Sequence, residues 1–133
     1  MAATYESRTV SMAIERSPQE VFEFVRDARN LSRWASGLGS SIQDVDGEWV
    51  ARAPQGPMKF RFVERNDFGI LDHYVRPPHG AEIYVPLRVI ANGTGSELVF
   101  TLFRLPGMTQ EEFERDAATV LQDLTSLKRV LER

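Results

Sequence analysis

The sequence predicts an α+β fold in which a curved, seven-stranded antiparallel sheet wraps around one long C-terminal helix. Three observations carry this expectation. From Thr109 to Arg133 the apolar residues Phe113, Ala117, Val120, Leu121, Leu124, Leu127 and Leu131 recur at spacings of three and four, the period of a helix with one buried stripe. From Ser40 to Leu105 the period changes to two, and turn-forming groups separate the alternating runs. Ahead of both stands one alternating segment followed by two short helical patterns.

The elements follow in order. Arg8–Arg16 places Val10, Met12 and Ile14 on one face, as a half-buried strand does. Ser17-Pro18-Gln19-Glu20 combines an N-cap, a proline at the first helical position and a glutamate three residues after the cap, so a helix carrying Val21, Phe22 and Val25 starts there. Asn30 is the expected cap of a second short helix with Leu31 and Trp34, which Gly37-Leu38-Gly39 ends. Asp46-Gly47, Pro54 to Pro57, Asn66 to Gly69, Pro77 to Gly80 and Asn92-Gly93 divide the rest into a meander of six strands. Thr109 caps the last helix, Glu112 reaches back to it as a capping box requires, and Lys128, Arg129 and Arg133 suit its negative pole.

Turn lengths set registers, and registers set faces. A two-residue Asn92-Gly93 loop would put Leu87 opposite Leu98, Val85 opposite Phe100 and Ile83 opposite Leu102. A four-residue Asn66–Gly69 loop puts Phe62 opposite His73 and Phe60 opposite Val75, with Lys59, Arg61 and Asp72 on the outer side. A bulge at Pro86 would exchange the faces and turn Tyr74, Tyr84 and Arg88 inward in place of His73. A sheet curved around one helix leaves space between them, and the inner face is rich in aromatics. The expected cavity residues are Trp34, Trp49, Phe60, Phe62, His73, Ile83, Val85, Phe100, Val120 and Leu124. His73 would orient a ligand carbonyl or hydroxyl, act as a general base, or serve only as a bonded core histidine.

Composition narrows the function classes. The 133 residues predict a single domain, 1–133, with a net charge of -3 and no basic face, which argues against nucleic acid as partner. The absence of cysteine removes disulfide and thiolate chemistry. Neither a signal peptide nor an apolar span stands near the N-terminus, so a cytoplasmic protein without membrane insertion is expected. With only His73 and His79 and no carboxylate at a matching spacing, no metal and no cofactor are implied. No nucleophile-elbow or phosphate-loop pattern occurs.

The run Val21-Phe22-Glu23-Phe24-Val25, the segment Leu31-Ser32-Arg33-Trp34, the closing Asp123-Leu124-Thr125-Ser126-Leu127-Lys128 and the junction Ser17-Pro18-Gln19-Glu20-Val21-Phe22, taken in this order of elements, resemble the START-like (SRPBCC) superfamily. The likeness extends in particular to small bacterial proteins of the polyketide cyclase/dehydrase-like kind. The resemblance implies a helix-grip fold and a hydrophobic cavity between sheet and C-terminal helix. The leading expectation is therefore binding of a hydrophobic or aromatic small molecule, lipids included. One alternative is a cyclase or dehydratase acting on a polyketide-like substrate with His73 as acid or base. Another is an interaction module whose outer face, with Val99, Thr101 and Phe103, meets another protein or a second copy as a homodimer.

Overall fold

The chain begins as an edge. In the computed structural model, which describes residues 2–36, 42–46, 48–53 and 56–133, β1 (Ser7–Ile14) pairs antiparallel with β8 (Gly95–Phe103) and not with its successor in sequence. Between them run α1 (Pro18–Arg26), a 3-10 helix (Ala28–Arg33), β2 (Ile42–Val45), β3 (Glu48–Ala53), β4 (Gly56–Phe62), β5 (His73–Arg76), β6 (Ile83–Val85) and β7 (Leu87–Asn92), and α2 (Gln110–Leu131) follows β8. The predicted breaks at Gly37-Leu38-Gly39, Gly47 and Pro54-Gln55 lie outside the described residues.

The helix starts are those the caps dictate. The Ser17 hydroxyl accepts from the Glu20 N–H at 3.2 Å, with Pro18 at the first helical position. Thr109 Oγ1 accepts from the Glu112 N–H at 3.0 Å while the Glu112 carboxylate accepts from the Thr109 N–H at 2.9 Å, a complete capping box. Thr109→Ala removes one half of it and is expected to cost about 1 kcal/mol. The melting temperature read by circular dichroism should fall by about 4 °C. Asn30 is not a cap. Asp27, immediately after α1, takes that place by accepting from the Arg29 N–H at 3.1 Å, while the Asn30 amide turns back and donates to the Phe24 carbonyl at 3.0 Å. The nearer Asx side chain closes the turn first.

Among the described residues eight strands form two sheets, β1-β8-β7 and β2-β3-β4-β5-β6. The strand expected to run through residue 86 is divided there. Pro86 has no N–H to give a ladder, and on one side β6 pairs with β5 while on the other β7 pairs with β8. The last link across this division is Thr101 N–H to the Pro86 carbonyl, 3.1 Å. The β7–β8 turn is Gly93-Thr94, closed by Asn92 opposite Gly95, so Leu87 faces Phe100 and Val89 faces Leu98. That is a shift of two residues from the expected register, which keeps every side chain on its face. Phe60 opposite Val75 and Phe62 opposite His73 are as expected.

The sheets are stitched where residues 69–71 run beside β7: Leu71 N–H donates to the Leu87 carbonyl at 2.8 Å and Val89 N–H to the Gly69 carbonyl at 2.9 Å. Gly69 has φ 74, and a Cβ there would stand 2.1 Å from the Val89 carbonyl oxygen, so only glycine allows this approach. The core lies between these sheets, α1 and the second half of α2, and includes Ile14, Val21, Val25, Leu71, Leu98 and Leu127. On α2, Phe113, Ala117, Leu124 and Leu127 are buried, and the helix packs against β1, β8 and the 3-10 helix, whereas Leu121, expected in the same stripe, is 50% exposed. The stripe that packs is narrower than the one the spacing offers.

Candidate functional site

Where β6 and β7 part company at Pro86, β8 continues toward Phe103 with β1 on one side and no ladder on the other. The gap is a groove of about 260 Å³. Ile83 and Val85 form one wall, Phe100 and Leu102 the other, and Val120 of α2 part of the floor; Asp116 and Thr119 of α2 also border it, whereas the hydroxyls of the bordering Tyr84 and Thr101 bond to Asp72 and Thr9. An apolar recess with sparse polar groups is the usual form of a small-molecule site.

A second, more enclosed void of about 50 Å³ is lined by His73 and Trp34 among apolar side chains that include Val25, Phe60 and Leu87. The two linings have no residue in common but are neighbours on the sheets, because His73 stands opposite Val85, Val75 opposite Ile83 and Leu87 opposite Phe100. His73 is half-buried, its ring 5.2 Å from that of Phe62. Its Nδ1 lies 3.0 Å from the Leu71 carbonyl oxygen. Burial pushes the imidazole below its ordinary pKa, outweighing the opposing pull of that carbonyl and of Asp72, so the ring is held neutral.

The ten residues expected around a cavity are thus distributed. Trp34, Phe60, Phe62 and His73 line the inner void, and Ile83, Val85, Phe100 and Val120 line the groove. Trp49 and Leu124 line neither: Trp49 sits opposite Phe60, packed against the core, and Leu124 is wholly buried within it. Among the described residues no group of three or more His, Asp or Glu is placed to hold a metal ion, and no helix is long and apolar enough to cross a membrane.

The outer side holds what sequence reasoning missed. Tyr74, Tyr84 and Arg88 lie there as the alternation predicts, Tyr74 stacked between Tyr84 and the Arg61 guanidinium. Asp72, expected to be solvated beside them, is only 5% exposed. It accepts from Tyr84 Oη at 2.7 Å, from Leu87 N–H at 2.9 Å and from Arg88 through Nε at 3.1 Å and Nη2 at 2.9 Å. Burial alone would raise the Asp72 pKa, but the Arg88, Tyr84 and Leu87 hydrogen bonds together bring it below the usual carboxylate value. The same bonds raise the Tyr84 phenol and the Arg88 guanidinium above theirs. This carboxylate ties β6 and β7 to β5 on both sides of Pro86 and so holds the lip of the groove. Its only sequence signal was an acid followed at 12 and 16 positions by Tyr84 and Arg88, a separation that no local periodicity reads.

Comparison with solved structures finds the same architecture in XoxI from Bacillus cereus, with TM-score 0.75, 17% identity and coverage of 94% of both chains. It recurs in a START superfamily protein from Mycobacterium smegmatis, with TM-score 0.67, 14% identity and 98% of both chains covered. DynU16, a protein of the dynemicin biosynthetic locus, matches with TM-score 0.73 and 20% identity over 95% of this chain, which spans 47% of that one. No curated protein matches the sequence. These likenesses bear out the expected helix-grip fold. Residues 6–132 match the model of the family described as polyketide cyclase / dehydrase and lipid transport, and the chain belongs to that family.

Proposed function

We propose that this chain binds a small hydrophobic or aromatic molecule in the groove between β6, β8 and α2. The observation that carries the reading is the unfilled, apolar gap opened by the strand division at Pro86, walled by Ile83, Val85, Phe100 and Val120. Its volume of about 260 Å³ falls near the lower end of ligand pockets, roughly 300–1,000 Å³, which favours a compact ring system over a long chain. The family description, with its cyclases and lipid carriers, supports a hydrophobic cargo.

The test uses N-phenylnaphthylamine, an apolar dye that brightens on leaving water. Titration of the protein should give a saturable rise in emission. Val120→Arg, which brings a charge into the groove, should weaken the dye by about tenfold or more. Absence of the rise, or equal binding by a folded Val120→Arg variant, would overturn the proposal.

A further inference from the structure

Two of the side chains that line the inner void bear polar atoms of opposite kind. Trp34 is 7% exposed and its indole N–H has no acceptor among the described residues. An indole nitrogen only donates, and a buried donor without a partner is uncommon enough to mark a place where an acceptor belongs. His73 supplies the complement. The Leu71 carbonyl oxygen can only accept, so Nδ1, 3.0 Å away, carries the ring proton and Nε2 presents a lone pair. No hydrogen bond reaches Nε2 among the described residues, and burial keeps the ring neutral near pH 7.

Both side chains line the same void of about 50 Å³ without bonding to each other. A hydroxyl satisfies a fixed donor and a fixed acceptor through one atom, since it accepts from the indole and donates to the imidazole. An ether or ketone oxygen satisfies Trp34 but turns lone pairs toward Nε2. A carboxylate would be buried where the lining holds no cationic side chain. A hydrocarbon leaves both atoms unpaired. The size fits: a water's share of liquid volume is about 30 Å³, so the void admits a hydroxyl and the ring edge that bears it, while the rest of the molecule stays in the groove. The strand pairing makes this geometry reachable, because His73 is paired with Val85 and Val75 with Ile83, and side chains directly opposed on one face of a sheet lie roughly 5 Å apart.

We infer that the void between His73 and Trp34 is the polar end of the groove and selects hydrophobic ligands that carry an alcoholic or phenolic hydroxyl. This deepens the groove reading and rests on it.

The test is an NMR titration of the protein with p-cresol, p-methylanisole and toluene, which share a ring and differ in one group. p-Cresol should bind about tenfold more tightly than toluene, with p-methylanisole closer to toluene, and the Trp34 indole N–H resonance should move downfield with p-cresol and not with toluene. Trp34→Phe and His73→Phe should each bring the p-cresol affinity down to that of toluene. If toluene binds, Val120→Arg weakens it and p-cresol is no tighter, the hydroxyl subsite is wrong and the groove reading stands. A p-cresol preference that survives both aromatic substitutions also overturns the subsite. If none of the probes binds, or Val120→Arg changes nothing, the groove reading fails and the subsite with it.

Discussion

Replacing Phe113 by alanine is expected to destabilise the protein by about 3–5 kcal/mol, the cost of emptying a buried phenylalanine site. Phe113 is wholly buried at the start of α2, where the capping box fixes the helix and the Arg8 guanidinium covers the ring 5.3 Å from its centroid. The surrounding strands cannot collapse into the space, because β1 is held along its whole length by β8. A domain of this size has roughly 5–15 kcal/mol in hand, so the loss is a large fraction of it. Urea unfolding should show a lower midpoint with an unchanged slope. Leu121→Ala, on the exposed side of the same helix, should cost less than about 1 kcal/mol. Equal losses at the two positions would contradict the packing described for α2.

Asp72→Ala is expected to cost about 2–3 kcal/mol, mainly because it strands the buried Leu87 N–H and releases Tyr84. Arg88 contributes less to the loss, since its side chain is 49% exposed and can turn to water. The effect also has a pH signature. The folded-state pKa of Asp72 is lowered, so its stabilisation is complete above the unfolded value of about 3.9 and is lost as pH falls through the lower folded value. Wild type and Asp72→Ala should therefore differ by a constant amount from about pH 5 to 7, and the difference should narrow below about pH 4. Glu114, held down to about 2 by Arg8 and Gln110, titrates in the same acid range in both proteins, so the difference curve isolates Asp72. A gap that persists unchanged into strong acid would show that the carboxylate is not the group responsible.

What could be read from the sequence was local or periodic. Ser17-Pro18 and Thr109 with Glu112 fix helix starts through bonds spanning three residues, and the alternation through β4 and β5 fixes which side chains point inward even when a turn is displaced. This is why His73 faces the interior and Tyr74, Tyr84 and Arg88 do not, although the Gly93-Thr94 turn moved the β7–β8 pairing by two. The remainder depends on distant partners. Nothing within ten residues of Asp72 reveals the three groups that bury it, and the depth of Trp49 or Leu124 relative to a void depends on how two sheets meet. Pro86 was legible as an obstacle to a ladder, but the outcome, two strands assigned to different sheets, follows from the stitch that residues 69–71 make to β7. Asn30 shows the same limit on a small scale, since either of two Asx residues could have capped and the nearer one did.

The division at Pro86 also bears on which side of the groove is the more easily opened. Among the described residues one backbone hydrogen bond, from Thr101 to Pro86, joins β8 to the division itself, and a bond of that kind contributes a net of about 1 kcal/mol, while Asp72 holds β6 and β7 together on the outer side. Lifting α2 instead would expose Phe113, Leu124 and Leu127 to water, at about 1.5–3 kcal/mol for each side chain. The margin of the five-stranded sheet is therefore the softer side of the groove, and the helix is its firm one.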